Sequence, residues 1–227
     1  TIIGRAAFDG TNITSLTMSP VLEKIDDSAF GGCKSLSGTL TFPVTTTYIG
    51  TAAFSNCSFS GQLILPENLE YLGSKAFNMS GKFTGDLRIP DKVSKLSSWT
   101  FYKSSFTGTL DLNNITEIGE YCFYICGFQG ELIIPEGVTD IPTYCFYNNS
   151  FTTIIFPSSL KTIGERSFED NYRLTTPLVF PEGMVSIGEK SFYFCGQLQG
   201  VDFPSTLQSI QASAFVACSS INSIISP

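Results

Sequence analysis

The 227 residues contain no histidine. That absence removes Ser-His-Asp and Cys-His nucleophile arrangements, imidazole metal ligation and the usual proton shuttle near neutral pH. Three other kinds of reactive side chain remain. Carboxylates stand close in sequence at Asp26/Asp27, Glu117/Glu120 and Glu169/Asp170. Such a pair hydrolyses glycosides only where a concave, partly dry pocket splits the two pKa values. The seven cysteines are an odd number, so they cannot all pair within one chain, and Cys122-x-x-x-Cys126 lacks zinc spacing. Aromatic side chains gather at Trp99/Tyr102, Tyr121/Tyr124 and Tyr144/Tyr147, where ring stacking is the available chemistry. The glycines match neither a phosphate loop nor a dinucleotide fingerprint.

What positions these groups is a repeat. Phe8, Phe30, Phe54, Phe77, Phe101, Phe123, Phe146, Phe168, Phe192 and Phe215 are spaced 22 to 24 residues apart, and five residues before each stands Ile or Leu. Apolar pairs follow two residues apart, from Leu40/Phe42 and Leu63/Leu65 to Leu178/Phe180 and Val201/Phe203, most of them followed by Pro. Period-two alternation ended by Pro predicts a strand in every rung, and a period in the low twenties marks the coil of a stacked solenoid. The carboxylate pairs then fall in turns of regular rungs, with nothing interrupting the stack to build a catalytic pocket. Cys33, Cys57, Cys126, Cys195 and Cys218 share one slot, three after the Phe, where other rungs carry Ser, Thr or Asn. The slot is expected to take a small buried side chain, with Cys acting as a small hydrophobe.

The phrases IDDSAFGGC, IGTAAFSNC, LGSKAF and IQASAFVAC, together with L-x-I-P, resemble the BspA-like class of leucine-rich repeats found in surface proteins of bacteria and some protists. The resemblance covers the whole chain. Thr100, Cys122 and Cys145 depart from it where Ala precedes the Phe, as does Asn113 where Pro is expected. It implies a leucine-rich-repeat solenoid of the α/β horseshoe type, mostly strand and turn. That fold has about ten rungs, one long parallel sheet on the concave face, and short turns or single helical turns behind. It also implies a non-catalytic, cofactor-free binding module, secreted or at the cell surface, that adheres to a protein or a glycan. A structural spacer or self-associating unit is the alternative, and a carbohydrate-active enzyme a third.

A net charge of −7 argues against nucleic acid and against anionic membrane surfaces, and no apolar run is long enough for a spanning helix. The unbroken repeat makes residues 1–227 one domain. Neither end carries the polar cap a solenoid normally has, and Pro227 stands in the register of the strand-ending prolines. The chain is therefore expected to be a piece of a longer protein, with end-to-end self-association possible.

Two surfaces are candidates for binding. Residues between the paired apolar anchors must point away from the core: Thr41, Ile64, Arg88, Asp111, Ile133, Ile155, Val179, Asp202 and Ile225, with Glu131 in the neighbouring column. This column is either β-branched packing on a pleated surface or an apolar patch with a charged centre for a protein partner. The second candidate lies beside the Phe. If a helical turn surrounds that residue, Trp99/Tyr102, Tyr121/Tyr124 and Tyr144/Tyr147 form an exposed strip on the convex flank. The rings then either pack on one another or offer a platform to sugar rings or protein.

Overall fold

The computed structural model describes residues 1–226, so Pro227 lies outside the described residues. The chain winds through ten rungs of parallel β-solenoid, and no helix occurs among the described residues. Each rung contributes up to three short strands. The most regular ladder is built from the Ile or Leu five before the Phe and the residue preceding it. Ile2–Ile3, Lys24–Ile25, Tyr48–Ile49 and Tyr71–Leu72 pair in register, as do Asp140–Ile141, Thr162–Ile163, Ser186–Ile187 and Ser209–Ile210. Between these two groups, Lys95–Leu96 pairs with Glu117–Ile118.

The second ladder holds the predicted alternating strands. Leu87–Arg88 pairs with Leu110–Asp111, Gln129–Ile133 with Ser150–Ile155, and Leu178–Val179 with Gly200–Asp202 and then Ser223–Ile225. A third ladder joins Ser37–Gly38, Ser58–Gly61 and Lys82–Phe83. The long sheet of the sequence reading is thus divided into sheets of two to four strands. The strands run only two to six residues, and a register shift at Gly130/Glu131 breaks the longest pair. No strand forms at Leu40/Phe42 or Leu63/Leu65. Alternation persists there all the same, with Leu40, Leu63 and Leu65 buried and Thr41 and Ile64 exposed.

The ten repeat Phe rings make one column, buried from Phe30 to Phe192 and open to solvent at Phe8. Successive centroids lie 5.2 to 5.6 Å apart with planes within 10° of parallel. Anchors such as Phe59, Phe83, Phe106 and Phe128 are buried beside it, meeting the column edge-on. Removing one such ring from a packed core costs about 3–5 kcal/mol.

The segment around each Phe is not the expected helical turn. The residue two before the Phe has φ between +51° (Ala6) and +66° (Trp99) in every rung, and the residue two after has φ between +49° (Asn148) and +68° (Gly32). Left-handed residues at both places break a right-handed turn. The backbone hydrogen bonds show why they are held. Phe8 N–H donates to the Ala29 carbonyl, Phe101 to Cys122 and Phe146 to Ser167, at 2.8 to 3.0 Å, and the same bond joins every pair of adjacent rungs. Bonds that close turns within the rung, such as Asp9 N–H to the Ala6 carbonyl, alternate with these. Rungs also approach closely at the Ile-Gly step. A Cβ on Gly119 would lie 2.2 Å from the Ser98 nitrogen, so only glycine fits there.

Candidate binding surfaces

The second ladder turns its outward column to solvent. Ile133, Ile155 and Val179 are 53, 44 and 64 % exposed, and Ile64, which continues the column on a segment that forms no strand, is 66 % exposed, while the preceding residues Leu132, Ile154, Leu178 and Leu63 are buried. Arg88, Asp111 and Glu131 are exposed and Asp202 is half-buried. Arg88 and Asp111 are register partners, and the Arg88 Nε lies 3.3 Å from the Asp111 carboxylate. Arg88 Nη2 also reaches Asp91 at 2.6 Å, and Asn113 Nδ2 donates to the same oxygen at 2.6 Å. These bonds, from Arg88 first and then Asn113, hold the Asp91 carboxyl below its ordinary range. The column is therefore apolar on both sides of one ionic knot.

Carboxylates edge this face, and several brace the next rung. Asp86 accepts from the Thr109 N–H and hydroxyl. Glu136 accepts from the Ser158 N–H and hydroxyl, and Glu182 repeats that contact with Ser205, all at 3.0 to 3.1 Å. The backbone bonds keep Asp86 and Glu136 ionised below the usual carboxylate pKa. Open depressions lie along the face. One, of about 660 Å³, runs between Ile155 and Val179; a second, of about 400 Å³, surrounds Ile64, and a third, of about 300 Å³, lies between Ile64 and Arg88.

The aromatic side chains come together as two stacked columns. Trp99, Tyr121 and Tyr144 stack at 4.3 and 4.9 Å, and Tyr102, Tyr124 and Tyr147 at 4.9 and 4.6 Å. Cross-contacts of 4.6, 5.8 and 5.6 Å join the columns at Trp99/Tyr102, Tyr121/Tyr124 and Tyr144/Tyr147. Lys75 lies over Trp99, Lys103 over Tyr102 and Arg166 over Tyr144, at 5.9, 5.3 and 5.6 Å. All six rings are half-buried, and burial raises the hydroxyl pKa of Tyr121, Tyr124 and Tyr147. Most ring faces that could take a sugar are covered by neighbouring rings and cations, the outer face of Tyr147 excepted.

The candidate carboxylate pairs have structural partners. Asp27 accepts from the Thr51 N–H at 2.8 Å, Glu117 pairs with Lys95 at 2.6 Å, and the buried Glu169 pairs with Arg166 at 3.2 Å. The cysteines are free and buried. Sequence reasoning took their shared slot as merely small, but it is a donor slot. Cys33, Cys57, Cys126, Cys195 and Cys218 each donate to the carbonyl of the preceding rung's repeat Phe, at 2.9 to 3.4 Å. Asn149 and Asn171 make the same bond at 2.9 Å, and Ser80 and Ser104 reach the same acceptor. The signal was available in the slot's composition, because Cys, Ser, Thr and Asn all carry a donor.

Comparison with known proteins agrees with this architecture. The family profile described as the BspA type leucine rich repeat region (6 copies) matches residues 1–129, 61–175 and 172–227. A leucine-rich repeat protein from Eubacterium ventriosum superposes with a TM-score of 0.59 at 20 % identity, over 100 % of this chain and 76 % of that one. A leucine-rich repeat protein from Bacteroides ovatus gives 0.46 at 20 % identity, over 98 % and 75 %. A leucine rich cell surface protein from Faecalibacterium prausnitzii gives 0.43 at 18 % identity, over 99 % and 82 %. No curated protein matches the chain. With the profile spanning every rung, the chain belongs to the BspA type leucine-rich repeat family.

Proposed function

We propose that the chain is a non-catalytic binding module, secreted or displayed at a cell surface, that recognises a protein or glycan ligand through the outward column of the second ladder. The observation that carries this reading is the row of exposed apolar side chains in three consecutive rungs, Ile133, Ile155 and Val179, on a backbone locked rung by rung. Exposed β-branched residues cost little on a pleated sheet, but a contiguous apolar row without a covering element marks an interaction surface. The reactive carboxylates and thiols support the non-catalytic part, since the former brace turns and the latter donate to backbone carbonyls. Placement outside the cell rests on the family.

The test is a random-peptide display library and a glycan array, each probed with the wild-type chain and with Ile133→Ser/Ile155→Ser/Val179→Ser. Ligands kept by the wild type and lost by the triple variant, with melting unchanged, are the expected result. Ligands equally held by both would move the site elsewhere, and a rigid spacer would bind nothing in either format.

A further inference from the structure

We infer that the ligand of the second-ladder face is an extended polypeptide segment in which Lys or Arg side chains alternate with apolar ones. This rests on the binding reading above and names the partner's chemistry. Charge is the first ground. Glu67, Asp86, Asp91, Asp111, Glu131 and Glu136 are all exposed along this face. The one guanidinium among them, Arg88, is already bonded to Asp91 and Asp111. A protein carrying seven excess negative charges overall thus concentrates carboxylates beside its exposed apolar row, and clefts lined by one sign of charge gather the opposite sign. Anionic lipid, nucleic acid and acidic glycans are repelled by the same field.

Shape is the second ground. Ile155 and Val179 border a depression of about 660 Å³ whose rim includes Glu136, and Ile64 sits in another whose rim includes Glu67. Each site thus sets an aliphatic floor beside a carboxylate, which fits a peptide presenting an apolar and a cationic side chain within a few residues. A neutral sugar wants an open aromatic face and in-plane donors and acceptors. The outward column has no aromatic ring, the Phe42 and Phe156 rings that line the depressions are half-buried against other phenylalanines, and Asp86, Glu136 and Asp91 at the edge already accept hydrogen bonds from Thr109, Ser158 and Asn113. Ile133 pairs in register with Ile155, and Val179 with Asp202 and then Ile225, so within each of these sheets a segment lying along the solenoid axis meets the outward residues of successive rungs.

The experiment uses the full chain and fluorescein-labelled synthetic peptides of alternating Val-Lys, Val-Glu, Val-Ser and Ser-Lys, read by fluorescence anisotropy. Val-Lys should bind at least about tenfold more tightly than Val-Ser, weaken with added salt, and exceed Ser-Lys by a similar factor. Glu131→Lys should reduce Val-Lys affinity about tenfold, and Ile155→Ser/Val179→Ser should do the same. Unchanged melting temperatures would show that each variant is folded. The inference is overturned if Val-Glu or Val-Ser binds as well as Val-Lys, if Ser-Lys matches it, or if the face variants leave binding unaltered. A glycan that binds the wild type and is lost with these variants would overturn the polypeptide assignment while leaving the binding module in place. Failure of every peptide, together with an empty glycan array, would remove both.

Discussion

Cys126 Sγ lies 2.9 Å from the carbonyl oxygen of Phe101, one rung back, and donates to it in the buried core. The same carbonyl accepts from the Ser104 N–H at 3.1 Å, so the thiol supplies its second hydrogen bond and joins the two rungs through a side chain. Cys126→Ser keeps a donor and should change stability little. Cys126→Val removes the side-chain donor while the Ser104 bond remains, and should cost about 0.5–1.5 kcal/mol in urea unfolding. Equal stabilities of the two variants would show that only size matters at this slot.

Ser167 and Ser191 stand where other rungs place Ala29, Ala53, Ala76 and Ala214, and their hydroxyls are buried without a hydrogen-bond partner among the described residues. An unpaired buried hydroxyl is a net cost. Ser167→Ala and Ser191→Ala should each stabilise the protein, by about 1 kcal/mol. Denaturant midpoints moving downward would indicate a bonded water at the site.

Burial pushes the Cys57 and Cys122 thiols from an ordinary 9.0 up to about 12. In the unfolded chain these thiols ionise near their ordinary value, so between about 9 and about 12 the folded state holds more protons. Their contribution to stability is complete below the lower value and is lost as pH rises toward the upper one. Melting temperature should therefore fall through that window, and Cys57→Ser/Cys122→Ser should flatten the decline. At neutral pH a disulfide reagent should label these two thiols only after denaturant is added.

The Trp99/Tyr121 stack at 4.3 Å should carry measurable energy. A double-mutant cycle between Trp99→Ala and Tyr121→Ala is expected to return a coupling of about 0.5–1.5 kcal/mol. Substituting Ser at Tyr121, Tyr124, Tyr144 and Tyr147 should lower the melting temperature, since all four rings are half-buried against one another. A zero coupling with unchanged melting would return the strip to the list of ligand platforms.

The repeat Phe and its Ile five residues earlier were legible because both fill the core, where size and hydrophobicity leave a period in the sequence. The outward column was legible for the same reason, by alternation. The first ladder was hidden, because one of its two residues faces outward and varies freely, from Lys24 to Tyr48 to Ser186. The left-handed turns left no trace either. Ala6, Lys75, Trp99, Tyr121 and Arg166 all adopt positive φ at one slot, so hydrogen bonds from the adjacent rung, not local propensity, set the backbone there. The strip of aromatic side chains could be located by offset, but its stacking could not, since that depends on the rung-to-rung rise.

The turn segments around the Phe column also carry an electrical consequence. Every N–H that leaves its rung there points toward the C-terminal side, as in Phe8 to Ala29 and Phe192 to Ala214. Aligned peptide groups add their dipoles, as they do in a helix. Here the sum runs along the stack with its positive pole toward the C-terminal rungs, the reverse of a helix relative to chain direction. That flank of the molecule is a polarised rod, and each added rung lengthens it.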